Sequence, residues 1–258
     1  MIGPLQVVLG LASGGLVGFS LGLVGGGGSI LAVPLMVYLV GVPNPHVAIG
    51  TSALAVAVSA ATGLAHHARA HTVRWRCGAA FAAAGVAGAF VSSSLGKQFD
   101  GRKLLFLFAF VMLGVGIMML RRRGQAGLPG ARLDWHNAPR VLGYGLGTGA
   151  LSGFFGIGGG FLIVPGLIGS TSMPMIEAVG TSLVAVTAFG LTTALNYAWS
   201  GLVDWSLAAI FIAGGLAGGT AGTLLARRLA GGGRLVTVFA LLIFVVAGYM
   251  LVRSAGLA

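Results

Sequence analysis

A glycine-rich interruption occurs twice in this chain, and that duplication limits the fold more than any other feature. The run Gly22-Leu23-Val24-Gly25-Gly26-Gly27-Gly28-Ser29 leads into Val33-Pro34, and Gly153-Phe154-Phe155-Gly156-Ile157-Gly158-Gly159-Gly160 leads into Val164-Pro165. A shift of 131 carries Gly18, Gly22, Gly25, Gly27, Gly28, Leu31, Val33 and Pro34 onto Gly149, Gly153, Gly156, Gly158, Gly159, Leu162, Val164 and Pro165. Further along, the shift is 130 and pairs Gly50-Thr51-Ser52 with Gly180-Thr181-Ser182, Thr62 with Thr192 and Trp75 with Trp205. One unit is written twice, with a helix break inside each copy. In an apolar chain, paired broken helices point to a transporter's binding site.

The apolar character is extreme. Of 258 residues only 7% are charged, 57% are hydrophobic, and the mean hydropathy is +0.99. Soluble domains carry roughly 25% charged residues, so the composition predicts an all-α integral membrane protein. Stretches near 5–24, 47–66, 78–95, 104–120, 178–199, 206–226 and 235–252 are long enough to cross a hydrocarbon core of about 30 Å as helices. No β-barrel alternation is present. The 47 glycines suit close helix packing in lipid. Met1-Ile2-Gly3-Pro4 has no basic leader and reads as the start of a retained helix. A single cysteine, Cys77, excludes an intrachain disulfide. The net charge of +11 does not indicate nucleic acid, because no polar domain presents it.

Each half reads as a helix, a break, a short apolar piece (30–40 or 161–169) and three longer helices. The predicted organisation is a membrane repeat over 1–123, a cytoplasmic linker over 124–138 and a second membrane repeat over 139–258. If each broken element returns to its starting side, the halves are inverted. One side then collects Arg69, Arg74, Arg76, Arg121, Arg122, Arg123, Arg132, Arg140, Arg227, Arg228 and Arg234, the other Lys97, Arg102, Lys103 and Arg253, a split of 11 to 4. Counting each broken element as a crossing gives 9 to 6. The positive-inside rule favours inversion, with both termini outside and the linker in the cytoplasm.

The candidate site is the pair of breaks. Clustered glycines hold a helix poorly, each costing up to about 1 kcal/mol against alanine. They free backbone N–H groups that a membrane interior obliges something to satisfy. The next helices, from Ser29 and Gly160, aim positive N-terminal ends into the gaps, an anion site made of backbone. Close packing of one bend on its twin is the competing reading. Neither run fits G-x-G-x-x-G, and no Walker lysine follows. Thr51, Ser52, Thr181 and Ser182 offer hydroxyls to an anion, against simple bonding back to helix carbonyls. Asn196 and Tyr197 stand where the first copy has His66 and His67, and polar groups inside a span face a cavity or a partner helix. His66, His67 and His71 have no carboxylate or cysteine beside them, so an interfacial role is expected rather than a metal. Trp75 and Trp205 fit the interfacial aromatic belt. The four acids Asp100, Asp134, Glu177 and Asp204 all fall near helix ends, with only Glu177 suited to a proton relay. No nucleophile–base–orienter set appears, so an enzyme is not expected, and no cofactor is implied.

The paired G-x-x-G-x-G-G-G-type breaks ending in Val-Pro, each followed by G-T-S, resemble the TauE/SafE family of sulfite-exporter-like permeases over almost the whole chain. The first copy departs in its unbroken Gly25–Gly28 run and in Ser29, where the second has Gly160. The resemblance implies transport of sulfite, thiosulfate or small organosulfonates such as sulfoacetate across a bacterial plasma membrane. It carries the family motif onto Gly25, Gly27, Gly28, Pro34, Thr51 and Ser52, and onto Gly156, Gly158, Gly159, Pro165, Thr181 and Ser182. The expected mechanism is alternating access, the halves rocking about an anion held near the midplane between two facing breaks. Export by uniport fits the acid-poor spans. Rival readings are proton-coupled uptake of the same anions, an anion channel with the breaks as its constriction, and a scaffold without transport. The expected partners are a small anion and the bilayer, not nucleic acid.

Overall fold

The computed structural model describes residues 3–121, 133–156, 160–229 and 234–254, and these form helices joined by short turns, with no strand among them. The first half comprises α1 (Pro4–Val24), a 3-10 turn (Gly25–Leu31), the short α2 (Ala32–Pro34), a π-wound stretch (Leu35–Leu39), α3 (Pro45–Arg69), α4 (Trp75–Gly96) and α5 (Gly101–Arg121). The second comprises α6 (Ala138–Phe155), α7 (Gly160–Thr171), α8 (Met175–Trp199), α9 (Trp205–Leu229) and α10 (Arg234–Ser254). Six of the described helices are long and apolar enough to cross a membrane. Proline starts several of them: Pro4 and Pro45 stand in first turns, where a missing N–H costs nothing. Asn44 caps α3 by accepting the His46 N–H at 2.9 Å.

The duplication extends to the backbone. Among the described residues, positive φ occurs at Gly25, Gly41, His71, Gly156, Ser172 and Gly201. The two shifts sort these into three pairs: Gly25 with Gly156, Gly41 with Ser172, and His71 with Gly201. Left-handed backbone is thus required at the same three places in each half, and twice a side chain accepts it where the twin has glycine.

Helix packing exchanges partners between the halves. Helix α1 packs chiefly on α9, and its counterpart α6 packs on α4. Both seams are backbone on backbone. A Cβ on Gly14, Gly18 or Gly22 would strike the carbonyls of Phe211, Gly215 and Gly219; on Gly145, Gly149 or Gly153 it would strike those of Phe81, Gly85 and Ala89. These are the same three contacts under the repeat register. Without a hydrophobic drive between helices in lipid, such close approach supplies the packing energy. Phe189 of α8 fills the space beside Gly85 and stacks on Phe81, ring centroids 6.4 Å apart.

Two three-helix bundles result, α1–α3–α9 and α4–α6–α8, each drawn from both halves and joined by the α3–α8 pair. Within a bundle the helices run one way. Thr51 meets the start of α9 while Ser59 meets Gly215, so α3 parallels α9; Arg74 meets Glu177 while Lys97 meets Asn196, so α4 parallels α8. Across the junction α3 and α8 run in opposite directions, with Gly50 against Tyr197, Ala57 against Gly190, Gly63 against Leu183 and His67 against Gly180. One end of the molecule therefore gathers Asn44–His46, Lys97–Asp100 and Leu202–Asp204 (the Lys97 end), and the other gathers Thr72–Arg74 and Met175–Glu177 (the Arg74 end).

Candidate functional site

Each glycine break is seated on the G-T-S turn of the opposite half. Gly25, at φ +70°, lies against Val179, where a Cβ would stand 2.7 Å from Val179 Cγ1; Gly156, at φ +68°, lies against the side chain of Ile49. Ile49 and Val179 are themselves repeat counterparts. Gly28 approaches the backbone of Ser20 and Leu21 so closely that no Cβ fits. Ser29 is fully buried, Gly27 lies within the 3-10 turn, and Gly160 is buried as it opens α7. Gly158 and Gly159 lie outside the described residues.

Gly25 and Gly156 lie at different levels of the α3–α8 pair. Ile49 sits in the first turns of α3 at the Lys97 end, whereas Val179 lies level with His67 at the Arg74 end. At 1.5 Å rise per residue, 18 residues of α3 separate those levels by about 27 Å. Gly25 and Gly156 therefore stand at opposite ends, while the turn Gly25–Leu31 packs on α7 between them. The antiparallel run of α3 and α8 causes this, because it carries the two equivalent turns to opposite ends.

The hydroxyls of the G-T-S turns are already engaged. Thr51 Oγ1 accepts the Asp204 backbone N–H at 3.0 Å, and Thr181 Oγ1 accepts that of Arg74 at 2.9 Å. Ser52 Oγ donates to the Ile49 carbonyl (3.1 Å) and Ser182 Oγ to that of Val179 (2.7 Å). All four are fully buried. In this arrangement the threonines tie the loops that open α4 and α9, and the serines bond back along their own helices.

Each end also carries a polar cluster, whose cations, Arg74 and Lys97, entered the sequence reading only through the charge count. At the Arg74 end, the guanidinium of Arg74 donates to both Glu177 oxygens, at 2.8 and 2.6 Å, which raises its pKa above the ordinary value. His67 Nδ1 shares a 2.9 Å hydrogen bond with Thr72 Oγ1, and His66 Nδ1 one of the same length with the Thr62 carbonyl. At the Lys97 end, Asn196 Nδ2 donates to the Phe90 carbonyl and to the hydroxyls of Ser93 and Ser94, while its Oδ1 accepts from Lys97 Nζ at 2.7 Å. Burial lowers the pKa of the Lys97 ammonium. The repeat register held the signal for this lysine: a shift of 130 carries Lys97 onto Arg227, a cation closing the same helix in both copies.

The sulfite exporter TauE/SafE family profile matches residues 10–250. The chain belongs to the TauE/SafE family. A probable membrane transporter protein of Xylella fastidiosa (strain Temecula1) is 52% identical over 255 residues, covering 96% of each chain. The probable membrane transporter protein YunE of Bacillus subtilis is 27% identical over 244 residues, covering 86% of this chain and 88% of YunE. YdhB of the same organism, also described as a probable membrane transporter protein, is 26% identical over 211 residues, covering 80% of this chain and 85% of YdhB. No solved structure matches. This TauE/SafE chain is thus a multi-pass membrane transporter.

Proposed function

We propose that the protein is a permease for small sulfur-containing anions (sulfite, thiosulfate or small organosulfonates such as sulfoacetate), exporting them by alternating access between two inverted repeats. The observation that carries this reading is the crossed seating of the breaks, one at each end of the α3–α8 pair and each on the other half's G-T-S turn. Such a device presents the same backbone feature to either side of the membrane, as alternating access requires. The opposed directions of α3 and α8 support inversion. The charge distribution supports the orientation: Arg69, Arg74, Arg76, Arg121 and Arg140 fall at the Arg74 end, which is then cytoplasmic, and both termini lie outside.

In this reading an anion meets one break at a time. Gly25–Ser29 serves the cytoplasmic end and the break that opens at Gly156 the outer end, with Thr51, Ser52, Thr181, Ser182 and Asn196 shaping the two mouths. An inside-negative potential drives an anion outward with about 2.3 kcal/mol per charge per 100 mV, so export proceeds as uniport in a bacterial plasma membrane. The test is thermal stabilisation of the purified protein by sulfite, sulfate, thiosulfate, sulfoacetate, taurine, acetate and chloride, paired with flux from proteoliposomes. A binder raises the melting temperature with concentration by mass action. Stabilisation and saturable efflux of one sulfur anion are expected. No response to any sulfur anion would overturn the reading, and unitary conductance would replace the carrier with a channel.

A further inference from the structure

Lys97 has no carboxylate to balance it. Among the described residues the one ion pair is Arg74–Glu177. The Lys97 ammonium instead donates to three neutral oxygens: the Asn196 carbonyl at 3.2 Å, Asn196 Oδ1 at 2.7 Å and Ser200 Oγ at 2.8 Å. It stands 5.8 Å from the centroid of the Tyr197 ring. Tyr197 is fully buried, and its Oη has no hydrogen-bond partner. His46 packs on the same ring, centroids 6.3 Å apart, and its Nδ1 is likewise buried and unpartnered, while Nε2 reaches the Phe99 carbonyl at 3.0 Å.

A buried phenol with no acceptor is a standing cost that phenylalanine would avoid. Its repeat counterpart, His67, does have a partner in Thr72, so the two ends differ at this position. This cluster also adjoins the second break. Tyr197 Cβ backs Gly50, the neighbouring Ile49 receives Gly156, and Phe154, two residues before Gly156, packs on Gly96 and on Phe99. Cation and phenol thus stand beside the seat of Gly156.

We propose that Lys97, Asn196 and Tyr197 form a docking site for a small oxyanion at the mouth of the second glycine break. The inference rests on the transport reading above and adds residues to it. The oxyanion takes over the N–H that Lys97 now gives to the exposed Ser200 hydroxyl, exchanging a neutral acceptor for a charged one. Charge-assisted hydrogen bonds are roughly twice as strong as neutral ones. The Tyr197 hydroxyl supplies a second donor, and Asn196 holds the ammonium in place.

The test measures sodium sulfite and sodium chloride binding to the full-length protein in detergent by isothermal titration, with an anion-free melting curve for every variant. Tyr197→Phe removes only the hydroxyl. Its anion-free melting temperature should equal or exceed that of the parent, while its sulfite Kd weakens about tenfold, as the loss of one hydrogen bond to a charged group implies. Lys97→Met should weaken sulfite binding at least as much, and Lys97→Arg should restore it to within about threefold. Parent-like sulfite affinity in both Tyr197→Phe and Lys97→Met would overturn the site while leaving sulfur-anion transport standing. Chloride bound as tightly as sulfite would overturn the oxyanion assignment. A parent protein that binds neither ion would overturn the transport reading and this inference together.

Discussion

Alanine at two glycines of one helix should move stability in opposite directions. A Cβ at Gly149 would collide with the backbone carbonyl of Gly85 across the α4–α6 seam, whereas at Gly147 nothing lies within 4 Å. Both substitutions gain up to about 1 kcal/mol of helix propensity. Only Gly149→Ala pays for overpacking, which costs about 1–3 kcal/mol. The upper part of that range applies, because the obstacle is backbone and cannot rotate aside. The net result is a loss of about 1–2 kcal/mol for Gly149→Ala and a gain of up to about 1 kcal/mol for Gly147→Ala. For a chain of this size each kcal/mol moves the melting temperature by about 2–4 °C. The expected shifts are a fall of about 2–8 °C against a rise of up to about 4 °C. Intrinsic fluorescence reports both, since the chain has four tryptophans. Gly18→Ala should match Gly149→Ala, because Gly18 meets the Gly215 carbonyl in the equivalent seam. A rise in melting temperature for Gly149→Ala equal to that of Gly147→Ala would refute the backbone contact.

Valine at Thr51 or Thr181 keeps the shape but strands the Asp204 or Arg74 N–H, so each should cost about 1–3 kcal/mol; serine at either place should recover most of it, and valine variants as stable as the parent would show that the loops need no tether. The backbone N–H groups of Lys103 and Arg102 donate to Asp100 Oδ1 at 3.0 Å each and hold its carboxyl below the ordinary 3.8. The stability this lends is present above pH 3.8 and is lost as pH falls through the lowered folded-state value. Asp100→Asn keeps an acceptor without titrating, so the melting-temperature gap between parent and variant should close on acidification; a gap constant with pH would remove Asp100 from the account.

The repeat register, read from the sequence, predicts the close contacts in pairs: Gly14 with Phe211 recurs as Gly145 with Phe81. Helix positions were legible for the same reason, since hydropathy and proline placement are local. Partner choice was not. Nothing local tells Gly18 that its neighbour is Gly215 and not another small residue of its own half. The placing of Gly25 and Gly156 at opposite ends was hidden on the same ground, for it required knowing that α3 and α8 lie side by side in opposite directions. The hydroxyls show a third limit. Thr51 and Thr181 look like ligand donors in sequence, but two loops of the opposite half present unsatisfied N–H groups within reach, and backbone demand takes them first. Arg74 and Glu177 lie 103 residues apart, so only the fold discloses their pairing.

The exchange of partners also sets the order in which the chain can complete itself. Helix α6 can dock on α4 soon after both are made, but the glycine face of α1 has no proper partner until residues beyond 205 have been synthesised. For most of translation α1 must wait in the bilayer with Gly14, Gly18 and Gly22 turned toward lipid or a temporary neighbour. Neither half, cut at the linker, would carry a complete bundle. Two separately expressed halves would recover their seams only by meeting each other, which makes fragment complementation the natural behaviour of this architecture.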